Sequence, residues 1–279
     1  MQGKTVVITG ASTGIGRAAA LELSRLGARM VLVCRDRAKG SAAADAIRAA
    51  GGRAELVLAD LSVQADIRRA AAELLALAPR IDVLINNAGA IFQTRTLCAD
   101  GHELTFATNH LSYFLLTNLL LGRLKESAPA RIVNVASVAH RRAKAIDFDD
   151  LRAEQGYDGW ERYGMSKLAN ILFTRELARR LTGTAVTANS VHPGVVATGF
   201  GANSTGLLRL LVKAARPFLL TPEEGADTVV YLASSPEASA WTGKYFAKRA
   251  ESKLTKAAQD DAAARRLWSV SAGLTGLDP

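Results

Sequence analysis

Short apolar runs recur along the chain at residues 5–8, 30–33, 56–59, 81–85, 132–135 and 186–191, with helix-like stretches between them. Runs such as Thr-Val-Val-Ile and Met-Val-Leu-Val show no polar alternation, which predicts strands covered on both faces. Apolar positions spaced three and four apart predict helices over 17–26, 37–50, 62–78, 109–124 and 163–181, and a last one over about 257–271. Gly27 closes the first and Gly51-Gly52 the second, as glycine does where a helix must turn out. Strands alternating with crossover helices predict a doubly wound α/β fold with a parallel sheet. No Pro-, Ser- or Gly-rich linker divides the 279 residues, so residues 1–279 read as one domain. The stretch 139–160 is polar and broken.

The first strand runs into Thr9-Gly10-Ala11-Ser12-Thr13-Gly14-Ile15-Gly16, a glycine-rich turn that opens the first helix. In a Rossmann-like sheet this turn binds phosphate, because glycines admit a ligand to the backbone and the helix N-terminus offers free N–H groups. The spacing is Gly-x-x-x-Gly-x-Gly rather than the Gly-x-Gly-x-x-Gly of the larger dinucleotide-binding class. The end of the second strand selects the nucleotide: a carboxylate there suits a ribose diol, a cation a 2′-phosphate. This chain has Cys34 followed by Arg35, with Arg37 and Lys39 close by, so NADP(H) is expected over NAD(H). Asp36 stands one residue late and is expected to point away or to pair with a neighbouring cation. Asp60 and Leu61 end the third strand and are expected to border the adenine, with capping of the next helix a second role that Asp60 could fill as well.

Charge and composition change this picture little. The formal net charge is +9, but the excess is scattered and no nucleic-acid recognition motif accompanies it, so no nucleic acid partner is expected. Two cysteines, Cys34 and Cys98, imply neither a disulfide framework nor a zinc site, and no ligand cluster at metal spacing appears. No apolar run is long enough for a membrane span and no signal peptide is evident, so a cytoplasmic protein is expected.

Tyr163-Gly164-Met165-Ser166-Lys167 brings a phenol and an amine onto one helix face. A nearby cation favours the phenolate, so this pair is expected to lower the tyrosine pKa and to exchange a proton near neutral pH. With the glycine-rich turn, Asn86-Asn87-Ala88-Gly89 and Ser137 in one order, the chain resembles the short-chain dehydrogenase/reductase family. Thr108 to Thr117, Tyr163 to Leu181 and Val191-His192-Pro193-Gly194-Val195-Val196 resemble its retinol-dehydrogenase-like branch.

The resemblance implies carbonyl–alcohol interconversion with Tyr163 as proton donor and acceptor, and with Lys167 lowering its pKa and holding the nicotinamide ribose. It implies that Ser137 bonds the substrate oxygen and that Asn109 holds a water linking Lys167 to solvent. It also implies that Asn87, Ala88 and Gly89 line the adenosine ribose, and that Pro193, Gly194, Val196 and Thr198 border the nicotinamide. His192 reads as strand-end framework. The expected partner is a small carbonyl or alcohol substrate, and the family's usual assemblies, homodimer and homotetramer, both stay open.

Ser137 and Tyr163 stand 26 positions apart, against about a dozen in compact members, so 139–160 reads as an insertion forming one wall of the substrate pocket. Its basic start suits an acidic substrate, a membrane surface or plain solvation. The apolar segment 199–220 reads either as a substrate lid, favouring a hydrophobic carbonyl compound, or as packing on its own core. Several relatives of the branch carry an N-terminal apolar helix that this sequence does not show, so a retinoid substrate is not carried over. The competing readings are a nucleotide-binding sensor or scaffold without catalysis, which needs no proton relay, and a nucleic-acid binder resting on charge alone.

Overall fold

A computed structural model of the chain describes residues 1–196 and 220–278. Thr198 and nearly all of the proposed lid lie outside the described residues. The strands β1 (Thr5–Thr9), β2 (Arg29–Cys34), β3 (Arg53–Leu58), β4 (Val83–Asn86), β5 (Ala130–Val135) and β6 (Val186–His192) form where the apolar runs stand. Two further strands follow, β7 (Tyr245–Ala247) and β8 (Ala250–Glu251). The sheet order is β3-β2-β1-β4-β5-β6-β7-β8, parallel throughout except for the antiparallel β7–β8 pair.

Alternation along a strand divides the core between the two faces. Val7, Val31, Val33 and Val57 join the cluster under α3 (Gln64–Leu77) and α5 (Ser112–Glu126). Val6, Ile8, Met30 and Leu32 join the cluster under α1 (Gly14–Arg25), α2 (Arg37–Ala49) and α7 (Pro222–Ser234). Three layers result, as the unalternated apolar runs require. α6 (Gly159–Arg180) and α8 (Asp261–Thr275) cover the α5 face, where Phe173, Leu177, Trp268 and Ala272 extend its core.

β1 lies between β2 and β4, and the connections leave it in opposite directions. That reversal opens a crevice at the carboxyl ends of β1 and β4, bounded by the glycine-rich turn and by Asn87 to Gly89. A buried polar ladder spans the sheet beneath it. Asn86 Nδ2 donates to Thr117 Oγ1 at 2.9 Å and to Asn134 Oδ1 at 2.8 Å, and Asn134 Nδ2 donates to Thr174 Oγ1 at 2.9 Å. Asn86 and Asn134 are register partners on β4 and β5, so the ladder fixes which residues stand at the strand ends.

Three elements differ from the sequence reading. α6 begins at Gly159, earlier than expected, because Asp158 caps it by accepting from the backbone N–H groups of Trp160 and Glu161. Gly159 lets that turn press against the chain, since a Cβ there would lie 2.3 Å from the carbonyl of Phe92. The helical region before β5 starts earlier, at Leu104, and is not α-helical throughout: α4 (Leu104–Phe106) passes through a π-turn, Ala107–Leu111, into α5. The C-terminal helix α8 is displaced towards the end of the chain relative to 257–271, with Asp260 accepting from Ala263 N as its N-cap.

Candidate active site

The glycine-rich turn forms a cradle whose walls are backbone. Gly10 has φ of +67°, in the left-handed region that favours glycine, and a Cβ there would lie 2.8 Å from Ala88 Cα. A Cβ on Gly16 would lie 2.4 Å from both the Gly10 carbonyl and Asn87 Nδ2. Gly14 opens α1 behind Thr13, whose side chain makes no cap, and the first turn carries no acidic residue. The N–H groups of α1 therefore face the crevice with neither a side-chain cap nor a competing carboxylate, which fits an anion. Ile15 is half-buried and borders Gly225 of α7.

Ser12 and the backbone of Ala11 hydrogen-bond the Cys34 thiol, whose pKa burial pushes up to about 11. Arg35 is exposed beside it. Asp36 caps α2 by accepting from Lys39 N at 3.0 Å and pairs with Lys39 Nζ at 3.6 Å, so its charge is committed to its own helix. The capping role allowed for Asp60 is corrected: α3 starts after Val63, and Asp60 Oδ1 instead accepts from Ser62 N and Ser62 Oγ at 2.9 and 2.7 Å. Leu61 is buried in the core beside that turn.

On the other wall Asn87 Nδ2 donates to the carbonyls of Thr9 and Gly10 at 2.9 and 3.2 Å. Thr9 Oγ1 accepts from the backbone of Asn87 and Ala88 at 2.9 and 3.0 Å. Thr9 thus ties the two walls together. The sequence offers no separate signal for it, because a β-branched residue at a strand end also reads as a plain strand former. Gly89 passes close to both side chains, since a Cβ there would lie 3.2 Å from Asn109 Oδ1 and 3.3 Å from Lys167 Nζ.

Beyond the cradle Asn109, Ser137, Tyr163 and Lys167 come together. The Ser137 hydroxyl hydrogen-bonds the phenol of Tyr163, and its Oγ also accepts from Ala139 N at 3.1 Å. Lys167 Nζ donates to the Val135 carbonyl at 3.0 Å and lies 5.6 Å from the ring centroids of both Tyr113 and Tyr163. Asn109 Oδ1 accepts from Ala90 N at 2.8 Å, while its Nδ2 donates to the Ala90 carbonyl and to Ser166 Oγ at 2.9 and 3.0 Å. Its amide locks the loop that carries Gly89. The second variable edge begins at Pro193 and Gly194, and Val196 bridges to Leu220 in parallel. His192 Nδ1 accepts from Val138 N at 3.2 Å, which makes it part of the strand-end frame. Among the described residues no three His, Cys, Asp or Glu side chains group closely enough to hold a metal ion.

Electrostatics correct the expected effect of Lys167 on the phenol. Burial pushes Tyr163 up to about 12, and the influence opposing it is the hydrogen bond from Ser137. Burial also brings Lys167 down to about 7, so near neutral pH the amine is only part-charged. The protein side chains by themselves hold the phenol protonated.

Residues 4–209 match the family model described as short chain dehydrogenase. The chain belongs to the short-chain dehydrogenase family. It is 48% identical to retinol dehydrogenase 14 of Homo sapiens, over 99% of this chain and 88% of that protein. It is 47% identical to retinol dehydrogenase 12 of Mus musculus, over 99% of this chain and 87% of that protein. Among solved structures it resembles the short-chain dehydrogenase/reductase of Serratia marcescens BCRC 10948 with a TM-score of 0.70 and 28% identity, covering 88% of this chain and 95% of that one. An uncharacterized protein from Mycobacterium Paratuberculosis is similar at a TM-score of 0.81 and 35% identity, over 99% of this chain and 95% of that one.

A short-chain dehydrogenase uses a nicotinamide nucleotide, and the cradle meets its requirement: the positions where a Cβ would intrude are the glycines beside the α1 N-terminus. Gly10, Ser12, Thr13, Gly14, Ile15 and Gly16 form the turn into α1, and Asn87, Ala88 and Gly89 form the facing wall. No helix among the described residues is long and apolar enough to cross a membrane.

The buried amine yields a stability prediction. A lysine whose folded pKa is about 7 instead of 10.5 destabilises the fold most fully below pH 7, and the penalty fades as pH rises towards 10.5. Lys167→Met is therefore expected to raise the melting midpoint of the cofactor-free protein by about 5 °C or more at neutral pH. Thermal scans across the alkaline range check this, with the gain expected to shrink as pH increases.

Proposed function

We propose that this protein is an NADP(H)-dependent oxidoreductase that interconverts a hydrophobic aldehyde or ketone and its alcohol. The observation that carries the reading is the hydrogen bond between Ser137 and the buried phenol of Tyr163, with the Lys167 amine behind both rings. A bound nicotinamide would supply the hydride chemistry and, in its oxidised form, a positive charge.

The chain's own groups handle the proton. In reduction Tyr163 gives its phenolic proton to the substrate oxygen as that oxygen gains charge, and Ser137 donates a second hydrogen bond to the same atom. In oxidation the phenolate of Tyr163 takes the hydroxyl proton back. Lys167 in its ammonium form stabilises that phenolate and holds the ribose hydroxyls. The second lone pair of the Asn109 carbonyl accepts the water through which Lys167 exchanges protons with solvent.

Preference for NADP(H) rests on the end of β2. Cys34 stands where a carboxylate would bind a ribose diol, Asp36 is engaged with Lys39, and Arg35 is exposed. A guanidinium there forks onto a 2′-phosphate. The hydrophobic substrate is supported by the rim. Val138, Trp160 and Val195 are 38%, 45% and 61% exposed, and the Trp160 ring stands edge-on to Tyr163 at 6.3 Å. Relatives named retinol dehydrogenases carry in their names an alcohol of this apolar kind. The segment 139–160, which carries Trp160, would form one wall of the substrate pocket. Both cysteines are free thiols, which suits the cytoplasm as the compartment of this enzyme.

Two experiments test the reading. NADPH oxidation with decanal as carbonyl probe is expected in the parent, while Tyr163→Phe is expected to lose at least about a hundredfold in kcat and still bind NADPH. Unchanged turnover in that variant would remove Tyr163 as the proton donor. Arg35→Ala is expected to weaken NADPH binding by about ten- to a hundredfold and leave NADH binding within about threefold. Equal effects on the two nucleotides would refute the role of Arg35, which fluorescence titration can decide.

A further inference from the structure

The polar groups of the site continue inward through Asn170, one turn beyond Lys167 on α6 and fully buried. Asn170 Nδ2 donates to the backbone carbonyl of Asn109 at 2.9 Å and lies 3.5 Å from the Val135 carbonyl. Val135 O is also the acceptor of Lys167 Nζ. Asn109 belongs to the π-turn, where the backbone leaves the regular α-helical hydrogen-bond ladder.

The donors can be ordered. A carbonyl only accepts, so the Asn170 amide must turn Nδ2 to Asn109 and Oδ1 to His110. His110 Nδ1, 3.3 Å from Oδ1, then carries the ring proton, and His110 Nε2 accepts from Ser271 Oγ of α8 at 2.8 Å. Burial brings His110 down to about 4, so the ring is neutral near physiological pH and this order persists. Three hydrogen bonds run head to tail from Ser271 through His110 and Asn170 to Asn109, each donor polarised by the one before it.

We infer that Asn170 is a positioning residue of the proton-transfer centre, its amide clamping the carbonyls of Asn109 and Val135 while Ser271 and His110 hold it from the C-terminal helix. The clamp sets the π-turn, and through the Asn109 side chain it sets the Gly89 loop. It also fixes the carbonyl on which the Lys167 amine rests. Its effect on turnover rests on the reading given under Proposed function; its effect on the backbone does not.

The titratable groups nearest position 170 are His110 from the π-turn and Lys167 from α6, whose amine lies 5.6 Å from the rings of Tyr113 of α5 and Tyr163 of α6; β5 presents the Val135 carbonyl and α8 the Ser271 hydroxyl. An aspartate at this position therefore gives a distinctive readout. Protonated, it donates to the Asn109 carbonyl as the amide does; ionised, it cannot, and it draws Lys167 towards itself.

The test compares the full-length parent with Asn170→Ala, Asn170→Asp, Ser271→Ala and Tyr163→Phe. NADPH and decanal are the probes for kinetics between about pH 5.5 and 8.5, and amide hydrogen exchange is followed separately over 104–126. For Asn170→Ala, kcat is expected to fall about tenfold or more with KM within about threefold, and amides 107–113 to exchange about tenfold faster. Asn170→Asp is expected to gain kcat more steeply than the parent as pH is lowered, on top of the dependence that Lys167 gives both proteins. Parent-like exchange and kcat in Asn170→Ala, or a parent-like pH profile in Asn170→Asp, overturns the inference. If the Asn170 variants do not fold, Ser271→Ala decides: exchange over 107–113 at least about threefold faster supports the clamp, and parent exchange overturns it. Full turnover in Tyr163→Phe would remove the reaction reading alone, since the exchange data still decide the clamp.

Discussion

A lysine amine held out of water with one backbone carbonyl as its acceptor is the constraint around which this molecule is arranged. The Val135 carbonyl exists as a free acceptor because β5 ends there, and the order of strands brings that end beside the β1–β4 crevice. Two tyrosine rings flank the amine, which favours its charged form, and burial opposes it. The balance leaves Lys167 close to its titration midpoint at neutral pH. An amine so poised responds to any charge brought next to it, which is what a proton-transfer site beside a nicotinamide requires.

The same economy governs the cradle. Backbone approaches backbone at Gly10 and Gly16, and Thr9 ties the β1 and β4 ends with hydrogen bonds to two successive N–H groups. The glycine-rich turn and the Asn87–Gly89 wall are therefore tied into one hydrogen-bonded unit. Asn109 continues that unit, because its side chain holds the Gly89 loop while its carbonyl is held by Asn170. A change at any of these positions displaces its neighbours before it removes a functional group.

Much of this was legible in the chain. The apolar runs placed six strands, and the order of Gly10 to Gly16, Asn87 to Gly89, Ser137, Tyr163 and Lys167 pointed to the candidate site, because those residue types answer to local backbone and proton demands. What escaped depends on tertiary contact. β7 and β8 are too short to show a period. The start of α6 was hidden by Gly159, which packs closely against Phe92. The π-turn leaves no composition signal, and Asn170 reads as an ordinary helix amide until the fold brings Asn109 against it. The pKa of Tyr163 was misread for a related reason. Sequence spacing shows the lysine four residues away but not the burial of both groups, and burial dominates.

The central claim is that the protein alone holds the Tyr163 phenol protonated and that a bound oxidised nicotinamide releases it. Titration of a carbon-13 label on the Tyr163 ring, followed by NMR with and without NADP⁺, tests this most directly. The account predicts no ionisation below about pH 10 in the cofactor-free protein and a midpoint at least about two units lower with NADP⁺ bound. The same midpoint in both states would contradict it.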